Sequence, residues 1–435
     1  MKISKNRLNM TISRQKFLSR RKFLHRSALA LTGTGLGEMV PAQLAAQNPP
    51  SPAAPAAPPA LPQPRVVALT AKSGTAFELG AQKALIPLIF EGAILPQMIR
   101  AKTGERVLLK FDNQLDAEVS LHMRGSRAAS PEILAHVSAK ASAEVALETS
   151  QSGLFWLHPI DRAQMAQGLG ALLVVEELNL PVVHLDQPFV VQDWAKPNEA
   201  ANFTINGAAP GTDLAVRPNT RMRLRLVNAC LARGFLLNIA GTVPYIVGID
   251  GAVSEMFRPV KDTFPVGPGA RFDLIFDVAA DKSVEIRLND GKLVAVVAKF
   301  HAEGEAREAL PAIAALPADP SLPPEIHLER AQRAEIVFGG PAPPVDLTLH
   351  KDTPATLAFT NKSNANLSVY AAGQALRLLH PFDDGWEPYW RDSLLLAIGQ
   401  SAHVALMPRL VGKFIIEATK LDSADPPQRL NLKVE

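Results

Sequence analysis

The chain has 435 residues, 47% of them hydrophobic and 20% charged, and a formal net charge of +3 at pH 7. Nine basic residues and one acidic residue lie in the first 46 positions, so the remainder carries 36 basic and 41 acidic side chains, a net charge of about −5. This length is enough for two to four domains with hydrophobic cores. The lack of a basic surplus beyond the N-terminus argues against a nucleic-acid partner.

Residues 1–46 have the pattern of an export signal. SRRKFL (Ser19–Leu24) is followed by the weakly apolar SALALTGTGLG (Ser27–Gly37) and then by small residues up to Ala46. Twin arginines before such a stretch resemble a twin-arginine signal peptide, cleaved after Ala46. The alternatives are a basic amphipathic helix or a short membrane anchor, but the apolar stretch is shorter than the roughly 20 residues that span a bilayer. We therefore predict a periplasmic protein that meets the twin-arginine translocase during export and has no membrane span after cleavage.

Two proline-rich segments divide the rest of the chain. Residues 47–64 contain eight prolines, a composition that favours an extended linker over a packed core. Residues 310–330 form a second proline-rich linker, and another boundary falls near Leu180, where a strand-like run ends. The sequence therefore predicts three domains, over residues 65–180, 181–309 and 331–435.

Short β-branched and apolar runs alternate with Gly, Asn, Asp and Pro throughout these domains. Examples are RVVALTA, GALLVVEE, RMRLRLVNA, RFDLIFDV and SVEIRL. Runs of this length between turn residues are typical of strands in β-sandwiches. Sustained helical periodicity is rare, so the predicted fold class is all-β. The single cysteine, Cys230, excludes an internal disulfide.

Several stretches, in order along the chain, resemble landmarks of the multicopper oxidase family. ILPQMIRAKTGERVLLKFDNQLDAEVSLHMRG (Ile94–Gly125) resembles the segment that ends in the family's first His-x-His pair. SGLFWLHPIDRAQMAQGLGALLVVEE (Ser152–Glu177) resembles the second such motif, and FTINGAAPG, VGIDGAV and VGPGARFDLIFDV resemble the middle domain. The resemblance implies three consecutive cupredoxin-like (plastocyanin-like) Greek-key β-sandwich domains.

Active members of that family hold four coppers. A blue site takes a cysteine thiolate and two histidines, and a trinuclear cluster takes eight imidazoles from His-x-His pairs, whose spacing on a strand aims both rings to one side. In this chain His122 and His158 stand at the first position of two pairs, whereas Arg124 and Ile160 stand at the second. The third and fourth motifs align with further lost ligand positions: Leu367, Tyr370, Ala372, Glu417, Ala418, Thr419 and Ser423.

From these replacements we predict no catalytic residue, no bound metal and no other cofactor. His122 and His158 are expected to be hydrogen-bonded or packed side chains at a domain interface, although two imidazoles can still hold one adventitious metal. The pattern resembles a copper-free branch of the family that acts in the periplasm during cell division. It implies a non-catalytic interaction or scaffold protein of the cell envelope or divisome, with periplasmic protein partners.

Two alternatives stay open at this stage. One is a degenerate, laccase-like multicopper oxidase that uses copper. The other is a binder of a small ligand in the vacated cluster cavity, because an apolar cavity with a few polar groups suits small ligands.

Overall fold

A computed structural model describes residues 63–79, 85–91, 97–128, 134–179, 181–195, 199–379 and 385–435. The predicted signal peptide and all but the last two residues of the first linker lie outside these residues. The described residues are almost entirely strands and turns.

The first β-sandwich contains one short helix, α1 (Arg162–Ala166), between its last two strands. Its strands are β1 (Arg65–Ser73), β2 (Leu88–Phe90), β3 (Gln97–Lys102), β4 (Val107–Asn113), β5 (Val119–Arg124), β6 (Ala135–Val137), β7 (Ser142–Leu147), β8 (Gly153–Pro159) and β9 (Ala171–Glu176). One sheet has the order β2-β1-β4-β7 and the other β3-β9-β8-β5-β6.

The second β-sandwich contains one 3-10 turn, Val260–Asp262. Its strands are β10 (Leu185–Asp193), β11 (Phe203–Ile205), β12 (Thr212–Val216), β13 (Thr220–Asn228), β14 (Phe235–Ala240), β15 (Tyr245–Ile249), β16 (Ala252–Phe257), β17 (Thr263–Val266), β18 (Arg271–Val278), β19 (Ser283–Asn289) and β20 (Val294–Ala302). Its sheets have the orders β11-β10-β13-β18-β15-β16 and β12-β20-β19-β14-β17.

The third β-sandwich follows the 310–330 segment. Its strands are β21 (Gln332–Phe338), β22 (Leu347–Leu349), β23 (Ala355–Asn361), β24 (Leu367–Ala371), β25 (Leu376–Leu378), β26 (Ser393–Leu396), β27 (Ser401–Leu406), β28 (Gly412–Lys420) and β29 (Gln428–Val434). Its sheets have the orders β21-β23-β27-β25 and β22-β29-β28-β24-β26.

The three sandwiches repeat one connectivity. In each, the first strand lies parallel to a later strand of its own sheet, as β1 to β4, β10 to β13 and β21 to β23. A second parallel pair joins the other sheet, as β3 to β9, β12 to β20 and β22 to β29. Among sheets that are otherwise antiparallel, this recurrence identifies three copies of one Greek-key design and confirms the predicted fold class.

A buried asparagine marks the same point of each copy. Asn113, Asn228 and Asn361 end their strands with no exposed surface. Each side-chain amide donates to a carbonyl oxygen of the following loop at 2.9 Å. A buried amide needs such partners, so this residue fixes the turn that follows the strand.

Each sandwich has its own apolar core between its two sheets. Alternate residues of β4 are buried, so Leu109 and Phe111 enter the first core while Lys110 faces solvent, as a pleated strand with one wet face requires. A smaller apolar cluster that includes Trp156 of β8 and Val190 of β10 joins the first sandwich to the second.

Strand β13 departs from this rule because both of its faces are buried. Its leucines enter the core, and its arginines lie on the other face among carboxylates. Arg223 contacts Glu177 at 2.5 Å and Asp273 at 3.0 Å, and Arg225 contacts Asp273 at 2.9 Å. Because breaking a buried ion pair leaves an uncompensated charge, these contacts constrain how the first and second sandwiches dock.

Candidate functional site

His122 and His158 lie side by side on neighbouring strands of the first sandwich. They are directly opposite each other in the β5 to β8 ladder. Their ring centroids are 5.1 Å apart at an interplanar angle of 69°, and each residue is only 6% exposed. The two strands therefore present two imidazoles to one buried space, as the alternation of the family motif requires.

Tyr370 of the third sandwich closes this space from the opposite side. It lies on β24, and its hydroxyl oxygen is 2.9 Å from Nε2 of His122. Burial raises the pKa of the Tyr370 phenol above its usual value, so the hydroxyl keeps its proton at neutral pH. A protonated phenol donates this hydrogen bond to the imidazole lone pair. This hydrogen bond joins the first sandwich to the third.

The protonation of His158 follows from its other neighbours. Its Nδ1 is 2.8 Å from the carbonyl oxygen of Pro159, which can only accept, so Nδ1 carries the hydrogen. Burial, and then the neighbouring His122, lower the pKa of His158 well below its usual range. The ring is therefore neutral with its lone pair on Nε2. Among the described residues, Nε2 of His158 has no hydrogen-bond partner.

Arg124 lies beside these three residues. Its guanidinium carbon is 3.7 Å from the centroid of the Tyr370 ring, in a cation–π arrangement. Its Nη2 donates to the carbonyl oxygen of Pro268 in the second sandwich at 3.4 Å. A guanidinium has no lone pair to offer a metal, and its positive charge opposes a nearby cation. The Arg124 guanidinium thus packs on the Tyr370 ring, which itself lies beside the His122 ring.

The other aligned ligand positions have contacts of their own. Ile160 is half-buried just after β8. Glu417, which lies opposite Tyr370 in the β24 to β28 ladder, pairs with Arg429 at 3.1 Å. Ser423 is half-buried in the turn after β28. The remaining four positions are buried: Leu367, Ala372, Ala418 and Thr419.

A buried ionic network next to the histidines was not predicted from the sequence. Arg271 has no exposed surface and donates to Leu154 O of the first sandwich, Gly269 O of the second and Asp392 of the third, at 3.2, 2.8 and 2.5 Å. Asp250 caps the network by accepting from backbone N–H groups of both the second and third sandwiches. The sequence feature that belongs to this network is the acidic residue of WRDS (Trp390–Ser393), a stretch that by itself indicates the start of a strand.

This network shifts the pKa values of its two carboxyl groups in opposite directions. Burial raises the pKa of Asp392 to about 7, and the nearby Asp250 adds to the rise. Asp250 instead has a lowered pKa, because its pairing with Arg271 and its hydrogen bonds from Ser393 outweigh the cost of burial. One carboxylate is thus stably ionised at neutral pH, and its neighbour is close to titration.

The donor set around the histidines does not fit a four-copper centre. Within the described part of the chain, no group of three or more His, Cys, Asp or Glu side chains is placed to hold a metal ion. The free thiol of Cys230 is buried in the core of the second sandwich. Three residues at the aligned positions lie together and carry atoms with lone pairs. They are His122 and His158, through their imidazoles, and Tyr370, through its phenol. The assignment of the lost ligand positions to the family's motifs stays a prediction.

Comparisons with known proteins agree with this fold. Two multicopper oxidase models match the chain, one over residues 73–179 and one over residues 182–289. The crystal structure of a multicopper oxidase from Pseudomonas thermotolerans superposes with a TM-score of 0.73 at 20% identity, covering 86% of this chain and 100% of that one. The three cupredoxin-like sandwiches, with histidines facing each other on two neighbouring strands of the first, are typical of multicopper oxidases. The chain belongs to the multicopper oxidase family.

Its curated relatives include proteins named for cell division. Cell division protein FtsP of Glaesserella parasuis serovar 5 is 26% identical over 375 residues, which cover 73% of this chain and 75% of that protein. FtsP of Edwardsiella tarda is 27% identical over 314 residues, or 64% of each chain. Across all the curated relatives that it matches, laccases included, the chain spans between 36% and 75% of the relative's length. Within the family, it belongs to the FtsP-like branch.

These findings correct one prediction. The expectation that the protein has no cofactor is wrong, because both family models and the structural neighbours are multicopper oxidases, and family membership implies copper. The prediction weighed only the lost ligands, whereas His122 and His158 still present imidazole nitrogens.

In the part of the chain that the structure describes, no helix is long and apolar enough to cross a membrane.

Proposed function

We propose that this protein is a non-catalytic interaction protein of the cell envelope that acts with the division machinery and has lost the four-copper oxidase centre. It reaches the periplasm through the twin-arginine pathway and binds periplasmic protein partners there. The proposal goes beyond family membership in its localisation, its partners and its loss of catalysis.

One observation carries the proposal. Where the family's copper ligands are expected, the chain places side chains that pack instead of coordinating. Leu367, Ala372 and Ala418 are buried hydrocarbon side chains, and Arg124 places a positive charge over the Tyr370 ring. Four-electron reduction of oxygen needs several coppers supplied with electrons, and these residues support a scaffold that has kept the sandwiches without that centre.

The likeness to FtsP supports the link to cell division. Envelope localisation rests on the leader, in which Arg20 and Arg21 precede a weakly apolar stretch. A protein that works by association needs only stable, exposed surfaces, and three well-packed sandwiches provide them.

Export is tested by changing the leader alone. The double substitution Arg20→Lys, Arg21→Lys should hold a tagged chain in the cytoplasm, whereas Arg7→Lys, outside the motif, should leave export unchanged. Cell fractionation followed by immunoblotting measures both. Equal periplasmic amounts of the double variant and the wild type would reject the twin-arginine route.

Function is tested by deletion and by affinity capture from envelope extracts. We expect the deletion strain to divide poorly under envelope stress and the tagged protein to capture a division protein. The wild-type gene should restore division, and the export-deficient variant should not. Normal division in the deletion strain, together with oxidation of phenolic substrates by the copper-loaded protein, would favour the degenerate oxidase instead.

A further inference from the structure

We propose that a cleft between the first and second sandwiches binds the acetamido group (CH3–CO–NH–) of an N-acetylated amino sugar. None of the positions aligned with the copper ligands lines this cleft. The proposal goes beyond the proposed interaction function and does not depend on it, because the sugar is bound by residues that have no part in that argument.

The cleft is small and uncharged. Trp156 and Gly170 of the first sandwich line one side, and Gln192, Trp194 and Thr204 of the second line the other. The space between the lining residues is about 400 Å³, part of which is open to solvent, so it encloses a small group and not a whole sugar. No charged side chain is among the described residues that line it. The group that enters is therefore neutral, because an ion would lose its water without gaining a partner.

Two buried side chains present unpaired polar atoms at this cleft. Trp156 and Gln192 are each more than nine-tenths buried. The indole N–H of Trp156 has no acceptor among the described residues. The Gln192 amide makes one long hydrogen bond, from Nε2 to the carbonyl oxygen of Asp193 at 3.4 Å, and its oxygen has no donor among the described residues. Buried polar groups normally have partners, so these atoms point to a ligand.

Thr204 adds a second hydrogen-bond donor. Its hydroxyl group has no exposed surface and accepts from Nε1 of Trp194 at 2.9 Å. The hydroxyl hydrogen is left to donate, and it has no acceptor among the described residues. The cleft thus offers two donors, from Trp156 and Thr204, and one acceptor, the amide oxygen of Gln192.

An acetamido group complements this set. Its carbonyl oxygen accepts two hydrogen bonds, its N–H donates one, and it carries no charge. Its methyl group leaves water for an apolar lining, which is favourable. The apolar side chains that line the cleft, apart from the two indoles, are Leu169, Val190 and Ala229.

Gly170 keeps the indole N–H of Trp156 accessible. A Cβ at this position would lie 2.9 Å from Nε1 of Trp156. The φ angle of Gly170 is not positive, so the backbone does not require glycine there. Gly168 has a similar place beside the other indole, since its Cβ would lie 2.7 Å from Cη2 of Trp194. The missing side chains leave room for a ligand between the two tryptophans.

Trp194 favours a sugar as the carrier of the acetamido group. This indole is half-buried at the cleft, and Phe77 holds it by an edge-on contact at 5.1 Å between ring centroids. The electron-rich face of an indole attracts the C–H groups of a pyranose ring. An acetylated lysine brings the same acetamido group on a flexible stem, and fixing that stem costs side-chain entropy that a rigid sugar ring does not lose.

The experiment titrates N-acetylglucosamine into the full chain. Tryptophan fluorescence measures the dissociation constant, and saturation-transfer NMR shows which ligand protons contact the protein. We expect a dissociation constant on the order of 1 mM, with the strongest transfer to the acetyl methyl group. Glucose has the same ring without the acetamido group and should bind at least about tenfold more weakly. Gln192→Met and Gly170→Ala should each weaken binding of N-acetylglucosamine by about tenfold or more.

Controls keep the test decisive. Gln187→Met changes an exposed glutamine of the same strand, β10, and should leave binding unchanged. Melting temperatures show which variants fold, and Gly170→Ala tests the site even if Gln192→Met does not fold. The proposal is overturned if N-acetylglucosamine does not bind the wild type, if glucose binds equally well, or if a folded site variant binds as the wild type does. Tighter binding of N-acetyl-lysine amide than of the sugar would also overturn it.

Discussion

Replacing Arg271 with methionine is expected to weaken the junction of the three sandwiches. The fully buried guanidinium donates to one acceptor in each sandwich: Leu154 O, Gly269 O and the carboxyl group of Asp392. Methionine fills much of the same volume but donates no hydrogen bond. The substitution therefore leaves two buried carbonyl oxygens and one buried carboxyl group without this donor.

The expected cost follows from the burial of the pair. Removing one partner of a buried ion pair costs about 3–5 kcal/mol, because the remaining charge is uncompensated. Asp392 has a pKa of about 7, so it takes up a proton once the guanidinium is gone, which limits the penalty. We therefore expect the free energy of unfolding to fall by about 3 kcal/mol, the lower end of that range.

Urea unfolding followed by tryptophan fluorescence measures this change through the first unfolding transition. Arg287→Met is the matched control, because the Arg287 guanidinium pairs with Glu285 of its own strand at a half-exposed site. That control should stay within about 0.5 kcal/mol of the wild type. If Arg271→Met unfolds at the same urea concentration as the control, the contacts of Arg271 do not hold the three sandwiches together.

Three further predictions address other buried groups. Burial raises the pKa of Asp392, so the folded chain keeps a proton that the unfolded chain releases above about pH 4. The free energy of unfolding of the wild type relative to Asp392→Asn should therefore fall by up to about 1.4 kcal/mol per pH unit between about pH 4 and pH 7. A pH-independent difference in urea midpoints between the two proteins would contradict this. Gly153→Ala should lower the free energy of unfolding by more than about 2 kcal/mol, because a Cβ at φ +137° would lie 2.4 Å from Gly251 O. Gly104→Ala is the control and should lower it by about 1 kcal/mol, because a Cβ there would have no atom within 4 Å. Equal shifts in melting temperature for the two variants would refute the clash. Burial raises the pKa of the Cys230 thiol, so a maleimide should label it only after unfolding, and rapid labelling of the native chain would show that the core opens.

The fold was predictable because its signals are local. Runs of alternating apolar residues predict strands wherever they occur, and the family landmarks fix their order. The repeated asparagine in FDN, LVN and FTN was also present in the sequence, at Asn113, Asn228 and Asn361. Its role in closing a turn appeared only with the hydrogen bonds to the following loops.

The burial of charged strands was not predictable. The alternation in TRMRLRLVN favours a strand with one wet face, yet Arg223 and Arg225 are buried. Their partners include Glu177 and Asp186, which lie 46 and 39 positions away. Residue spacing along a strand carries no information on which distant carboxylates, from the same sandwich or from another, will pair with its arginines.

The same limit applied to the candidate site. The sequence identified His122, His158 and Tyr370 as positions of interest, and it left open whether the space between the domains was filled or free. Tyr370 is 248 positions from His122, and their hydrogen bond depends on how the first and third sandwiches dock. The tautomer of His158 likewise follows from a backbone carbonyl, which no motif records.

The copper content of the exported protein, matured with excess copper, tests the central claim most directly. Metal analysis per chain, combined with oxygen uptake on phenolic substrates, should give fewer than three coppers and no oxygen consumption. Three or four coppers per chain with sustained oxygen reduction would show that the oxidase centre is intact and would contradict the account.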